Sequence, residues 1–364
     1  MNRRSFFKSA GALGLLSSLP IETFSTTGNP LDILVLGGRD FLGPAVVNAA
    51  ISSRHKVTLF NRNQTNPEMF TDLPLITGDR KNGEASYQGL TNKTWDVVID
   101  VWPQESQLVD DATKVLQEHA KHYLFISSIA VYADYSQVGL HEGSSTVSLP
   151  QDKSQWGYSE EKTKSEQIVM ARFPQNHTIL RPGPIKGWRD PAVDLAYWLL
   201  RFKNNSRVLA PGSGEDPIQF IDVKDVGRFV VSCAENNRFG IYNTTGPKKT
   251  ILTFRKFLES CKAHTQSQAE IVWVEESFLR DHGVRSFDDM PLWIPLHEDP
   301  GFMQISHQKS IQHGFQFSDL SATYRDILSW YENGLGGSHQ FGRENDSVGI
   351  TPQREQQLLD LWRG

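Results

Sequence analysis

Cysteine is nearly absent from this chain: Cys233 and Cys261 are the two among 364 residues. They fall in separate helical patterns without metal-ligand spacing, so no disulfide framework is expected and both read as buried free thiols. Long apolar runs are missing as well. Beyond the N-terminus nothing approaches the roughly eighteen consecutive apolar residues of a spanning helix, so no stable membrane anchor is expected. Basic residues are not in excess. Lys and Arg number 37 against 42 Asp and Glu, a formal net charge of −5, which speaks against a nucleic-acid partner. The 11 histidines show no metal-ligand spacing, so no bound metal is expected, and there is no internal repeat. What remains is a globular composition, 38% hydrophobic and 22% charged, long enough for one large domain or a domain with an appended lobe.

Residues 1–29 stand apart from the fold. Asn2-Arg3-Arg4-Ser5-Phe6-Phe7-Lys8 precedes a mild apolar segment, Ala10 to Leu19, and a polar Ser/Thr stretch runs to Gly28. The order basic, apolar, small-polar resembles a twin-arginine (Tat) export signal, with the Tat translocase as a partner in transit and the periplasm as destination. A disordered basic tail on a cytoplasmic protein is the alternative. No A-x-A cleavage site marks a mature N-terminus.

From Leu31 the pattern changes. The apolar run Ile33 to Leu36 is followed at once by Gly37-Gly38, then Arg39-Asp40-Phe41-Leu42-Gly43, then a helix-compatible run from Pro44 to Ile51. Strand, tight turn and helix in this order make the entry of a dinucleotide-binding βαβ unit. Glycines let the backbone approach a pyrophosphate, and N–H groups at the helix start meet its charge. Gly37, Gly38, Arg39, Phe41, Leu42 and Gly43 are therefore candidate cofactor contacts. Asp40 is a departure, because it stands where a Gly-x-x-Gly-x-x-Gly pattern has its middle glycine.

Further strands are predicted at Lys56–Phe60, Leu73–Thr77, Val97–Val101 and Tyr123–Ser127, with a helix over Gln107–His119. Short runs buried on both faces and separated by crossovers imply an α/β fold with a doubly wound parallel sheet. Its strands' carboxyl ends line the ligand crevice. Asn61-Arg62 ends the second strand, where a carboxylate for the ribose 2′-hydroxyl is missing and a guanidinium suits a 2′-phosphate. The cofactor is thus read as NAD(P), with NADP favoured. Asp79 and Arg80 after the third strand, and Asp100 with Trp102 after the fourth, face the same crevice; Asp79 is placed near the adenine amino group.

The chemistry is carried by Ser127-Ser128 at the end of the fifth strand and Tyr158-Ser-Glu-Glu-Lys162 at a helix start. Tyrosine and lysine four apart share one helix face. For a phenol to act as a base near neutrality its pKa must fall from about 10 to about 7, roughly 4 kcal/mol. A neighbouring ammonium and an oxidised nicotinamide both favour the phenolate, while a serine holds the substrate oxygen. Of the nine tyrosines, Tyr158 alone has a lysine four residues on.

At this point the chain resembles the extended short-chain dehydrogenases/reductases, in the NAD-dependent epimerase/dehydratase group, over roughly residues 31–335. Gly37-Gly38-Arg-Asp-Phe-Leu-Gly43 is similar to the group's Gly-Gly-x-Gly-Phe-Ile-Gly. Arg181-Pro-Gly-Pro-Ile-Lys-Gly187 and Gln219-Phe-Ile-Asp-Val-Lys-Asp-Val226 look like two later signatures. The resemblance assigns Ser128, Tyr158 and Lys162 as the catalytic set, with Lys162 also holding the nicotinamide ribose. It implies dimerisation through helices Gln107–His119 and Tyr158–Arg172. Thr58–Arg62 and Gly78–Arg80 look like a subgroup that includes chloroplast RNA-associated proteins. Ile129 and Ala130 occupy the positions where sugar dehydratases of the group carry an Asp-Glu pair, so proton donation to a leaving hydroxyl is not expected.

The domains read as 1–29 signal, 30–181 dinucleotide-binding, 182–335 substrate lobe with interleaved Rossmann elements, and 336–364 linker and terminal helix. Trp102, Trp188 and Phe220, with Tyr197 and Trp198, are candidates for a sugar-stacking wall or for core packing. The functional expectation is an epimerase or oxidoreductase acting on a secondary alcohol of a carbohydrate-like substrate. An exported enzyme has no replenished pool of free cofactor, so a closed redox cycle on a retained dinucleotide is expected. The alternatives are a net reductase or dehydrogenase of a small carbonyl, and a non-catalytic nucleotide-sensing or RNA-associated protein.

Overall fold

Strand β1, Asp32–Leu36, shows why the apolar runs are unbroken. Ile33 and Val35 enter one hydrophobic core, while Leu34 and Leu36 enter another on the opposite face of the sheet. A strand with helices on both faces leaves no position for a polar side chain. In a computed structural model, which describes residues 29–102, 104–247, 251–334, 339–345 and 347–362, β1 is central to a seven-stranded sheet. The export-signal segment lies outside the described residues, as does part of the region read as a linker.

The other strands are β2 (Lys56–Asn61), β3 (Leu75–Thr77), β4 (Val97–Asp100), β5 (Tyr123–Ile126), β6 (His177–Pro182) and β7 (Gly240–Thr244). Their order is β7-β6-β5-β4-β1-β2-β3 and every pairing is parallel. The chain reverses direction across the sheet between β1 and β4, which opens the crevice of a doubly wound fold. Register puts Leu36 beside Phe60 on one side and beside Asp100 on the other, so the ends of β1, β2 and β4 open at one level.

Helices α1 (Leu42–Ser52) and α5 (Val223–Glu235) cover one face. They cross closely because Gly227 has no side chain: a Cβ there would lie 2.7 Å from the backbone of Ala45. Helices α2 (Ser106–Leu116) and α3 (Tyr158–Arg172) lie together on the other face. Arg172 pairs with Asp110 at 3.2 Å, and the Ser106 N–H donates to Glu161 at 2.6 Å.

The lobe has its own core, built on α4 (Asp194–Asn204), α6 (Phe254–His264), α7 (Leu320–Ser329) and α8 (Pro352–Leu361). Tyr197, Trp198, Leu292 and Trp293 are interior to it. The segment Pro291–Pro295 is therefore part of the lobe's centre, and Tyr197 and Trp198 are packing residues. The described part of the segment before α8 is packed as well. Phe341 meets Tyr197 edge-on and Arg343 pairs with Asp289 at 2.9 Å. Helix α8 buries Leu358 and Leu359. Its buried Glu355 takes the Leu209 N–H at 3.0 Å and lies 3.4 Å from Arg201. Both cysteines are buried and free. Among the described residues no helix is long and apolar enough to cross a membrane.

Candidate active site

The glycine turn follows from its two neighbours in space. Gly37 and Gly38 have φ of 114° and 98°, a left-handed backbone that side chains rarely adopt. Gly43 lies so close to the turn that a Cβ on it would stand 2.6 Å from the Gly38 Cα. The Gly37 N–H donates to the Phe60 carbonyl at 2.9 Å, and the Asn61 side-chain amide donates to the Gly37 carbonyl at 2.8 Å. Asn61 thus stitches the end of β2 to the turn.

Helix α1 begins at Leu42, with no side-chain cap from Phe41 and no acidic residue in its first turn. Its first N–H groups and positive dipole end are free to meet an anion. Arg39 is buried, donates to the Asn63 side chain and keeps a buried Nε without a partner among the described residues. Arg62 is exposed. Asp79 caps the short helical turn Arg80–Asn82 by accepting the Lys81 N–H at 3.0 Å. A turn without side chains, an uncapped helix start and basic residues at the neighbouring strand end fit a dinucleotide diphosphate and its ribose.

Ser128 lies two residues beyond β5 and opens the turn Ile129–Val131, its hydroxyl accepting the Ala130 N–H at 3.1 Å. Tyr158 is the first residue of α3, whose entry is fixed by the Gly157 N–H donating to the Glu160 carboxylate at 2.9 Å. Tyr158 keeps 48% of its surface exposed, yet its hydroxyl is crowded by protein. That burial raises the phenol above its usual pKa of 10.0, and the neighbouring Ser128 hydroxyl partly offsets the rise. The serine and the tyrosine are therefore neighbours at the carboxyl edge of the sheet.

Lys162, one turn on, is buried. Its Nζ donates to the carbonyls of Trp102 at 2.8 Å and Ile126 at 2.6 Å. It stands 5.9 Å from the Tyr158 ring centre. Burial pulls its pKa from 10.5 down to about 7, with Asp100 and Glu166 drawing it back up and Arg80 pushing it down.

A model of the NAD dependent epimerase/dehydratase family matches residues 33–244. The chain belongs to this family. It is 25% identical over 256 residues to the chloroplast stem-loop binding protein of 41 kDa b from Arabidopsis thaliana, across 66% of this chain and 65% of that protein. The chain thus covers less than two thirds of that relative's length. Among solved structures, a putative epimerase from Burkholderia cenocepacia superposes with a TM-score of 0.64 at 16% identity, covering 83% of this chain and 98% of that one. The UDP-N-acetylglucosamine 4-epimerase from Bacillus cereus gives a TM-score of 0.60 at 14% identity, covering 82% and 98%. These neighbours share the Rossmann-type fold.

Within this family fold, several residues read as crevice contacts turn inward. The Arg80 guanidinium makes a two-point ion pair with Asp100 at 2.6 and 2.9 Å and donates to the Tyr87 hydroxyl and the Leu108 carbonyl, each at 2.9 Å. Asp100 also accepts from the Tyr123 hydroxyl at 2.7 Å and the Trp102 N–H at 3.0 Å. Burial works to raise the Asp100 carboxyl, but Arg80 and these donors hold it below the usual carboxylate value. These two charges serve each other and both act on Lys162. Of the aromatics, Phe220 is buried against Phe257 in the lobe core, and Trp188 packs half-buried on the Rossmann core. Trp102 lies under Arg80 at 5.1 Å, with its indole N–H buried and unpartnered among the described residues.

Two features escaped sequence reasoning. Ile305 packs with Ile129 beside the Ser128 turn, and the same segment lines a cavity of about 190 Å³ with Gln219, Met303 and buried His307. Arg189 reaches across to the glycine turn, donating from Nε to the Asp40 carbonyl at 3.0 Å. A lone histidine and an arginine between a tryptophan and an aspartate carry no periodic signal for these positions.

Proposed function

We propose that this chain is an NAD(P)-dependent epimerase-type oxidoreductase acting on a secondary alcohol of a carbohydrate-like substrate. The observation that carries this reading is the meeting of Ser128, Tyr158 and Lys162 at the carboxyl ends of a sheet whose first turn is built for a diphosphate. Tyr158 takes the proton of the substrate hydroxyl and returns it. Ser128 holds the same oxygen through its hydroxyl. Lys162, fixed by two carbonyls, places its charge near the phenol and lowers the cost of the phenolate. The nicotinamide, when bound, supplies the site where the hydride is parked. Ile129 and Ala130 beside Ser128 offer no proton to a leaving hydroxyl, which favours epimerisation over loss of water. Several structural neighbours carry the name of a UDP-sugar epimerase, in keeping with a sugar-like substrate.

NADP is the preferred cofactor in this reading, because Arg62 is exposed and makes no hydrogen bond or ion pair among the described residues, while Asn61 offers no carboxylate to a ribose hydroxyl. Export through the twin-arginine route would make retention of the dinucleotide necessary and a closed redox cycle the economical chemistry. Tyr158→Phe tests the core of the proposal. Mass spectrometry of ligand released on denaturation should show a dinucleotide in both proteins, while turnover on the substrate falls at least 100-fold in the variant. Full biological activity in Tyr158→Phe would instead favour the second reading, a non-catalytic RNA-associated role, which similarity to the Arabidopsis stem-loop binding protein supports.

A further inference from the structure

Asp40 in place of a glycine brings an exposed carboxylate to a turn suited to a diphosphate, and the surroundings of its backbone compensate. Arg189 sits in the turn that follows Gly187, held at a left-handed φ of 67°. From there its guanidinium crosses from the lobe side to the glycine turn and donates to the Asp40 carbonyl at 3.0 Å. Trp330 stands 4.7 Å from the guanidinium and Trp188 5.6 Å, distances at which the ring faces attract a cation. Trp330 directly follows α7, and that helix is tied to the start of α5: Thr323 donates to Asp222 at 2.6 Å and Lys224 pairs with Asp326. The tryptophan is therefore carried on a fixed base, whereas the link to the glycine turn is a single hydrogen bond.

We propose that Arg189 is a clasp over the dinucleotide, a further cofactor-binding residue that closes on the diphosphate and sets the rate at which it leaves. The inference rests on the dinucleotide reading above. The guanidinium supplies positive charge where Asp40 adds a negative one, and its planar face is kept in place by Trp330. Breaking one hydrogen bond and leaving that ring opens the path. The clasp obstructs entry and exit alike, which separates it from a residue that merely supports the fold.

Stopped-flow fluorescence on the full chain, following NADPH and NADH binding and their displacement by excess oxidised cofactor, tests this. Arg189→Ala and Trp330→Leu should each speed release on the order of tenfold, the loss of one charge-assisted contact. Association should be no slower, and the double variant should match the single ones because the two residues act as a unit. Arg189→Lys should resemble Arg189→Ala, since a compact ammonium does not stack as a planar guanidinium does. Unchanged release in Arg189→Ala and Arg189→Lys, with the parent chain binding normally, overturns the clasp alone. Failure of the parent chain to bind either dinucleotide overturns the nucleotide reading and the clasp with it.

Discussion

Lys162 should leave a signature in the pH dependence of stability that no other residue of the site can imitate. Burial brings its pKa from 10.5 in the unfolded chain down to about 7 in the folded one. Between those values the unfolded chain carries a proton on Lys162 that the native chain does not. Stability must then rise with pH over the interval, by about 1.4 kcal/mol per pH unit from this residue alone. Below about pH 7 the residue is charged in both states and its slope vanishes, leaving a constant cost of forcing the buried lysine to carry its charge. In Lys162→Met the slope is removed, while the carbonyls of Trp102 and Ile126 lose their donor. Each lost partner costs ~1–3 kcal/mol at every pH, so the difference between the two proteins at one pH is uninformative and the change in that difference is decisive.

The assay is urea denaturation of both dinucleotide-free proteins at three pH values, roughly 6.5, 8 and 9.5, which bracket the titration of a depressed lysine. From the second to the third value the parent should gain ~2 kcal/mol on the variant. Parallel stabilities within ~0.5 kcal/mol would refute the reasoning, and would mean that Lys162 titrates as an ordinary amine. The same titration bears on chemistry, because with a pKa of about 7 only about half of the molecules carry the ammonium at neutrality.

Asp100→Asn should cost ~3–5 kcal/mol of stability, because it leaves the Arg80 guanidinium buried without its anion. The pair Arg80→Met with Asp100→Leu should cost less than the single change, as read by denaturation. Retained stability with weakened dinucleotide binding would return Asp100 to the role of a cofactor contact. Arg62→Ala should weaken NADPH by on the order of tenfold or more in calorimetric titration, the value of one charge-assisted phosphate contact, while changing NADH little. Equal effects on both dinucleotides would remove the argument for NADP.

The Rossmann half was legible because its determinants are local. Runs such as Val97–Asp100 are apolar at every position since both faces are covered, and Tyr158–Arg172 was readable to its ends because glycine precedes it and the pattern stops after Arg172. Ser128, Tyr158 and Lys162 were legible for the same reason: strand end and helix face are short-range facts. The lobe was not. Tyr197 and Trp198 at successive positions of α4 are buried in the lobe's core, and helical spacing alone reads equally as wall or core. Arg80 and Asp100 failed differently. A charge at a strand's carboxyl end has the same sequence appearance whether it faces a ligand or another charge, and these two are twenty residues apart. Arg189 depends on a contact 149 residues away, beyond any pattern.

The buried pair has a meaning for the site beyond its own stability. Lys162 must be dry to be held rigidly by two carbonyls, and dryness pushes its proton off. Asp100 opposes that push and Arg80 adds to it, so the pair acts on Lys162 as a dipole with its negative end doing more than its positive end. An isolated Asp100 at this depth would face its own desolvation and tend to take up a proton, losing the charge that Lys162 needs. Arg80, with Tyr123 and the Trp102 N–H, keeps it ionised. The ion pair is therefore the means by which an anion is kept near the lysine at all. Trp102 joins the two layers, its N–H on Asp100 and its carbonyl on Lys162. The end of β4 thus acts on Lys162 through Asp100, and the charges read from the sequence as cofactor contacts are found buried and paired with each other.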